Sequence, residues 1–129
     1  MNRFKKILIV DDEPDILEFL SYNFRKKRYI VSVANDGVAG IKKAKAELPD
    51  LIISDIMMPE MDGIDMCKEI RADENLKHTP FIFLTAVTDD YKFLYAMTCG
   101  ADQFIEKPIK IDYLLQIVNL AIEEKALQL

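Results

Sequence analysis

The sequence predicts an α/β fold, in which five parallel strands form one doubly wound sheet with helices on both faces. Short apolar runs alternate five times with stretches of helical length, without a linker, repeat or low-complexity segment between them. This alternation favours parallel strands joined by right-handed crossover helices. The chain has 129 residues, enough for one compact domain, so we expect residues 1–129 to form a single domain.

The first unit pairs a strand with an amphipathic helix. The apolar run at 6–10 is typical of a buried strand. Pro14 fits the first turn of the next helix, where a missing N–H costs nothing, and this helix is expected to end near Lys27. Its apolar face repeats every four residues, at Ile16, Leu20 and Phe24.

The second and third units are marked by capping and turn residues. A strand is predicted at 30–34, and Asp36 is a suitable N-cap for a helix that reaches about Glu47. The third strand, the Pro- and Gly-containing turn after it and the following helix are predicted at 51–54, 59–63 and 64–71.

The last two units complete the sheet. The fourth strand is predicted at 81–84, and its helix runs from about Asp90 to Thr98. Gly100 is a suitable left-handed C-cap for that helix. A short fifth strand at 103–106 precedes a final helix from about 112 to 126.

Polar residues follow four of the five predicted strands. In doubly wound sheets, ligands bind at the carboxyl ends of the strands, so these side chains should converge on one edge. A single Asp or Thr at a strand end is most often a turn or capping residue. Polar residues at four strand ends of one sheet are much harder to attribute to chance. The set comprises Asp11, Asp12 and Glu13 after the first strand, Asp55 after the third, Thr85 after the fourth and Lys107 after the fifth.

The charges of this set limit its chemistry. Two carboxylates about 4 Å apart repel by roughly 4 kcal/mol at an effective dielectric near 20, so a cluster of them needs a cation. Mg²⁺ prefers such oxygen ligands and can bridge to a phosphate oxygen. We therefore expect Asp55 to be a nucleophile that forms an acyl phosphate, with Lys107 and Thr85 binding other phosphate oxygens.

Four motifs, in this order and spacing, resemble those of the response-regulator receiver (CheY-like) family of two-component signalling. The resemblance covers the chain from Lys6 to about Ala126. Its motifs are Ile9-Val10-Asp11-Asp12-Glu13, Ser54-Asp55-Ile56-Met57-Met58-Pro59 with Asp62-Gly63, Leu84-Thr85-Ala86, and Glu106-Lys107-Pro108.

The resemblance implies a function and a set of site residues. Asp55 would accept a phosphoryl group from a sensor histidine kinase or a histidine phosphotransfer protein in a phosphorelay. Asp12 and Asp55 would ligate Mg²⁺ directly, Asp11 would act largely through water, and the backbone carbonyl of Met57 would complete the protein ligands. The Lys107–Pro108 peptide would be cis. Such a chain is a signalling receiver that catalyses only its own phosphorylation and slow dephosphorylation.

Two features bear on switching and on phosphoryl lifetime. In the family a threonine moves toward the phosphate and an aromatic residue on the fifth strand turns inward. Thr85 and Phe104 match them, although Phe104 lacks the hydroxyl of the common Tyr and could equally be an aromatic packed at a strand edge. Met57 and Val87 are apolar where some members carry polar groups that could orient water, so we expect slow self-dephosphorylation.

The fourth predicted helix is a candidate partner surface. Apolar residues point in several directions around it, either because it is buried or because it binds a partner. The resemblance favours a phosphorylation-dependent homodimer or output partner bound through this helix, the fifth strand and the last helix. Pro14 and Leu17 border the site and are candidates for kinase docking. The apolar residues of the helix are Tyr91, Phe93, Leu94, Tyr95, Ala96 and Met97.

Composition argues against several other classes. A formal net charge of −5 disfavours nucleic-acid binding, and the basic run at 25–28 is typical of a solvated helix end. Cys67 and Cys99 lie outside any zinc motif and are expected to be free, buried thiols, and His78 has no companion ligand. Without a signal peptide or a membrane-spanning run, we expect a cytoplasmic protein.

Other readings remain open. A dehalogenase-type phosphatase needs a second Asp two residues after the nucleophile, where this chain has Met57. A flavodoxin-like cofactor binder needs phosphate donors after the first strand, where carboxylates stand. An interaction module that has lost phosphorylation would not need the complete acidic and Lys set. The chain could also be the receiver part of a longer regulator.

Overall fold

The computed structural model describes residues 4–86 and 90–127, in which strands and helices alternate along the chain. The elements, in chain order, are β1 (Lys6–Val10), α1 (Pro14–Lys26), β2 (Ile30–Ala34), α2 (Gly37–Glu47), β3 (Leu51–Asp55), α3 (Gly63–Ala72), β4 (Phe81–Thr85), α4 (Asp90–Met97), β5 (Gln103–Glu106) and α5 (Ile111–Leu127). Among these described elements, no helix has both the length and the apolar character that crossing a bilayer requires.

The five strands form one parallel sheet in the order β2-β1-β3-β4-β5. The chain leaves β1 toward one edge, returns, and continues on the other side of β1. The strand order therefore reverses between β1 and β3, and at such a reversal the flanking loops separate to leave a crevice. This confirms the predicted doubly wound fold, and the loops after β1 and β3 are the ones that border the expected crevice.

Successive side chains of each strand point to opposite faces of the sheet, and this divides the core into two layers. In β1, Leu8 and Val10 pack with buried residues of α2, α3 and α4, whereas Ile7 and Ile9 pack with α1 and α5. Side chains of a strand point alternately to opposite faces, so a strand covered on both sides must be apolar throughout. Both faces of the sheet are therefore covered, as the continuous apolar runs predicted.

Element boundaries follow local chemistry. Pro14 is the first residue of α1, and the side chain of Asp36 caps α2 by accepting a hydrogen bond from the N–H of Ala39. The helix α4 ends at Met97, one residue before the predicted end. Gly100 has φ of +94°, the left-handed conformation expected at that position.

Candidate functional site

The predicted site residues meet at the carboxyl edge of the sheet, beside the reversal between β1 and β3. Asp55 and Thr85 are the last residues of β3 and β4, one position inside the strands where the sequence had placed them just after. Asp11 follows β1 directly, and Lys107 follows β5. Because all these strands are parallel, their ends bring residues from distant parts of the chain to one place.

Four carboxylates form a cluster at this edge. One side-chain oxygen from each residue lies within 4.8 Å of the others. Asp11 and Asp55 are buried, while Asp12 and Glu13 are exposed to solvent. Glu13, which the sequence places at the strand end but outside the predicted ligand set, therefore belongs to the same cluster.

Asp11 is the most deeply placed of the four. Its Oδ1 accepts a hydrogen bond of 2.8 Å from the N–H of Glu13, whereas its buried Oδ2 accepts none from the residues that the structure describes. Burial raises the pKa of Asp11, and the Glu13 N–H and Lys107 oppose this shift only in part. A buried carboxylate oxygen without a hydrogen bond, beside three other carboxylates, fits a divalent cation with oxygen ligands.

Lys107 provides a positive charge between Asp55 and Asp11. Its Nζ donates a hydrogen bond of 3.2 Å to Asp55 Oδ2 and lies 3.6 Å from Asp11 Oδ2. Burial alone would lower the pKa of Lys107, but attraction to the two carboxylates outweighs it, and the net shift is upward. The ammonium is therefore held in its charged form between the two buried acids. The Lys107–Pro108 peptide is cis, as the family resemblance predicted.

A model of the response regulator receiver domain family matches residues 7–119. The chain belongs to this family. It is 41% identical over 104 residues to the alkaline phosphatase synthesis transcriptional regulatory protein PhoP of Bacillus subtilis, a match that covers 81% of this chain and 42% of PhoP. The receiver therefore spans less than half the length of this curated relative.

Solved structures of similar length show the same fold. The receiver domain of a signal transduction histidine kinase from Syntrophus aciditrophicus superposes with a TM-score of 0.88 and 34% identity, covering 93% of this chain and 91% of that one. The chemotaxis response regulator CheY4 of Vibrio cholerae gives 0.86 and 32%, covering 92% and 99%. The chain is thus a receiver domain of the two-component response regulators, with the phospho-accepting CheY-like fold.

The two residues proposed for switching lie at different depths in the receiver. Thr85 is buried at the end of β4, and its carbonyl accepts a hydrogen bond of 2.8 Å from the N–H of Lys107. Phe104 is half-buried in β5 and packs on the α2–α3–α4 layer, with its ring centroid 5.6 Å from that of Phe83. The aromatic ring is therefore packed against the sheet.

Of the two positions linked to phosphoryl lifetime, Met57 lies beside Asp55, and Val87 lies outside the described residues. The N–H of Met57 donates to Asp55 Oδ1 at 3.4 Å, and 53% of the residue's surface is exposed. The side chain at this position is thus apolar and solvent-facing. It supplies no group that could orient a water molecule near Asp55.

Gly63 is a site residue whose role the sequence motif did not explain. It begins α3, and its N–H donates a hydrogen bond of 2.8 Å to the carbonyl of Ile56. A Cβ at Gly63 would lie 2.1 Å from the backbone carbonyl oxygen of Asp55. Only glycine therefore allows α3 to begin so close to the end of β3, and this contact fixes the backbone that carries Asp55.

The surface of α4 is apolar where it is described. Leu94, Tyr95 and Met97 are exposed, and Ala96 is buried against the sheet. The hydroxyl of Tyr95 accepts a hydrogen bond of 2.6 Å from Lys68 Nζ of α3. The side chains of Tyr91 and Phe93 lie outside the described part of the chain.

The start of α1, proposed for kinase docking, lies beside the carboxylate cluster. Pro14 is exposed and Leu17 is half-buried. Since Pro14 follows Glu13 directly, this turn continues the loop that carries three of the four carboxylates. A partner that reached the cluster would therefore meet the start of α1.

Proposed function

We propose that Asp55 accepts the phosphoryl group of this receiver, donated by a sensor histidine kinase or a histidine phosphotransfer protein. The observation that carries the proposal is the position of the Asp55 carboxylate, at a strand end where it pairs with the Lys107 ammonium and clusters with three further carboxylates. Asp55 is 7% exposed, so most of its surface is buried in the site and a small part still contacts solvent. We propose further that residues 1–129 form a single receiver domain.

Asp12, Asp55 and the backbone carbonyl of Met57 are the proposed direct ligands of Mg²⁺, and Asp11 is proposed to act on the ion largely through water. The buried Oδ2 of Asp11, with no hydrogen bond from the described residues, supports this assignment. When bound, the ion neutralises the repulsion among the carboxylates and the charge of the phosphoryl oxygens. Glu13 belongs to the same cluster and is a candidate for contact through water.

Three residues of the protein would have different roles in the phosphoryl transfer. An oxygen of Asp55 attacks the phosphorus, and the bond to the donor nitrogen breaks as the acyl phosphate forms. The Lys107 ammonium, already 3.2 Å from Asp55 Oδ2, is placed to pair with a phosphoryl oxygen. Thr85, at the end of the adjacent strand, would donate its hydroxyl hydrogen to another.

Self-dephosphorylation is proposed to be slow. Hydrolysis of an acyl phosphate needs a water molecule held in line with the phosphorus, and a group that orients this water accelerates the reaction. Met57, the exposed neighbour of Asp55, has no group to accept or donate a proton. The phosphorylated form should therefore persist long enough to bind a partner.

The proposed output surface comprises α4, β5 and α5. It includes the exposed residues Leu94, Tyr95 and Tyr113, and the half-buried Phe104 of β5. Inward movement of Thr85 toward a phosphoryl group would change the packing of Phe104 in the next strand, where Thr85 pairs with Glu106. We propose that this change creates a homodimer or an output-partner site. No nucleic acid is proposed to bind this chain itself.

The relatives indicate two settings for such an output. PhoP is a transcriptional regulatory protein of which the receiver spans 42%, and the Syntrophus domain belongs to a histidine kinase. In either setting the phosphoryl signal would pass from the receiver to another domain or chain.

Incubation with acetyl phosphate and Mg²⁺, followed by intact mass measurement, tests the proposal. One phosphoryl adduct is expected, lost in Asp55→Asn and in the presence of a chelator. The matched control is Asp112→Asn, which removes an exposed carboxylate from the first turn of α5 and should leave the adduct unchanged. An adduct that survives Asp55→Asn, or no adduct under any condition, would contradict it.

A further inference from the structure

Two cysteines from distant parts of the chain lie against each other beneath α4. Cys67 is in α3, and Cys99 is in the turn after α4. Both are free and buried in the α2–α3–α4 layer. The thiol of Cys67 donates to the carbonyl oxygen of Cys99 at 3.5 Å, and that of Cys99 donates to the carbonyl oxygen of Ala96 at 2.8 Å. We propose that Cys67 and Cys99 form a reversible disulfide that fastens the end of α4 to α3.

The local backbone allows the sulfurs to join. A disulfide needs sulfurs about 2 Å apart and Cα atoms usually within about 7 Å. The Cys67 sulfur lies 3.5 Å from the backbone carbonyl oxygen of Cys99, so the two residues are already neighbours in the core. Cys99 lies in a turn next to Gly100, whose left-handed φ lets that turn adjust more freely than a helix interior.

The surroundings distinguish the two sulfurs. The adjacent Cys67 side chain lowers the pKa of Cys99 in spite of burial, with help from the N–H of Ala101 and the nearby Arg71. The interaction with the Cys99 side chain, together with burial, raises the pKa of Cys67. Cys99 is 5% exposed whereas Cys67 is fully buried, so an oxidant from solvent reaches Cys99 first. The lowered pKa of Cys99 favours the same order, because the thiolate is the nucleophile, and Cys67 is then the sulfur that resolves.

The reaction needs a two-electron oxidant, which we take to be a hydroperoxide. The Cys99 thiolate attacks a peroxide oxygen, the O–O bond breaks, and the departing oxygen takes a proton to leave as water or an alcohol. The Cys67 sulfur then attacks the Cys99 sulfenic acid, the S–O bond breaks, and the hydroxide leaves with the Cys67 proton as water. Each sulfur loses one electron and the peroxide gains two.

Fastening this turn would restrain the exposed surface of α4. The helix already contacts α3 near this point, since Arg71 Nε donates to the Gly100 carbonyl at 2.8 Å and Lys68 donates to the Tyr95 hydroxyl. These contacts can open and close, whereas a covalent bond cannot. Oxidation should therefore hold the surface formed by Leu94, Tyr95 and Met97 in the arrangement seen here.

The test is treatment of the reduced, unphosphorylated receiver with hydrogen peroxide. We expect the loss of both free thiols, a mass lower by two hydrogens, a Cys67–Cys99 cross-linked peptide in the non-reduced digest, and recovery of both thiols with dithiothreitol. Amide hydrogen exchange at Leu94–Met97 should slow in the oxidised form. Cys67→Ala and Cys99→Ala, checked for folding by circular dichroism, should lose the cross-link and the slower exchange.

Several results would overturn the proposal. These are two thiols that stay free, oxidation of Cys99 that stops at a sulfenic or sulfinic acid, a disulfide between two chains, or an internal disulfide without slower exchange in α4. None of these readouts involves phosphorylation at Asp55, so a failure here would leave the proposed function untouched.

Discussion

Replacing Gly63 by alanine should damage both the stability of the receiver and the site. The new Cβ would lie 2.1 Å from the carbonyl oxygen of Asp55, 2.8 Å from the ring of Phe83 and 3.0 Å from Ser54 Oγ. The shortest of these contacts is to backbone, which cannot rotate away as a side chain can. The start of α3 must therefore move away from the end of β3.

The size of the effect follows from that overlap. An ordinary contact begins at 3.4 Å, so the two backbones must separate by roughly 1.3 Å. Overpacking of a filled core costs about 1–3 kcal/mol or more, while alanine gains at most about 1 kcal/mol over glycine as a helix former. We expect Gly63→Ala to lower the free energy of unfolding by about 2 kcal/mol. Since a displacement near 1 Å can cost on the order of 10²-fold in rate, phosphorylation should slow at least roughly tenfold.

Gly40→Ala is the matched control. Gly40 is also helical, but its new Cβ would meet only side chains, Met66 Sδ at 2.7 Å and the two methyl groups of Val10 at 3.0 and 3.3 Å. Urea denaturation should show a loss within about 1 kcal/mol for this variant, with normal phosphorylation by acetyl phosphate. If both variants lose the same stability and accept phosphate equally fast, the close approach of α3 to Asp55 does not constrain the site.

Three further predictions concern single side chains. Lys107→Met should lower the free energy of unfolding without Mg²⁺ by about 3 kcal/mol, because buried Asp55 and Asp11 lose their counter-charge; an unchanged urea midpoint would contradict this. Arg71→Lys should cost about 1–3 kcal/mol by urea denaturation, since the guanidinium donates to the carbonyls of Gly100 and Thr79 at 2.8 and 2.7 Å. The Arg71→Lys variant should give a normal yield of phosphoprotein, and a reduced yield would show that the Arg71 hydrogen bonds also affect the phosphorylation site. Met57→Asn should shorten the half-life of the phosphoprotein by supplying a polar group beside Asp55, and equal half-lives would refute that role.

Much of the site was predictable because strand ends are visible in the sequence. The apolar runs before Asp11, Asp55 and Thr85 locate the ends of three parallel strands, and parallel strands bring those ends together. The strand boundaries were wrong by one residue at Asp55 and Thr85, which are polar yet still paired in the ladder. Polarity marks where a strand ends only approximately.

The roles of Glu13 and Gly63 were harder to predict from the sequence. Sequence order puts Glu13 beside Asp12 but does not state how the loop turns, and the loop geometry brings its carboxylate within 4.8 Å of the others. Gly63 could be recognised as part of a motif, while its reason, the approach to the Asp55 carbonyl, depends on how α3 packs on β3.

By itself the sequence determined the alternation of strands and helices, the two-sided burial of the sheet and the identity of the acids and the lysine at its edge. These follow from local pattern, because side-chain periodicity and turn residues act over a few positions. Only the tertiary structure decided which side chains contact one another in the site and in the core. It left Asp11 Oδ2 without a hydrogen bond from the described residues, placed Lys107 between two buried carboxylates and brought Cys67 against Cys99. Those contacts join residues far apart in the chain, and their distances depend on the packing of the whole sheet and its helices.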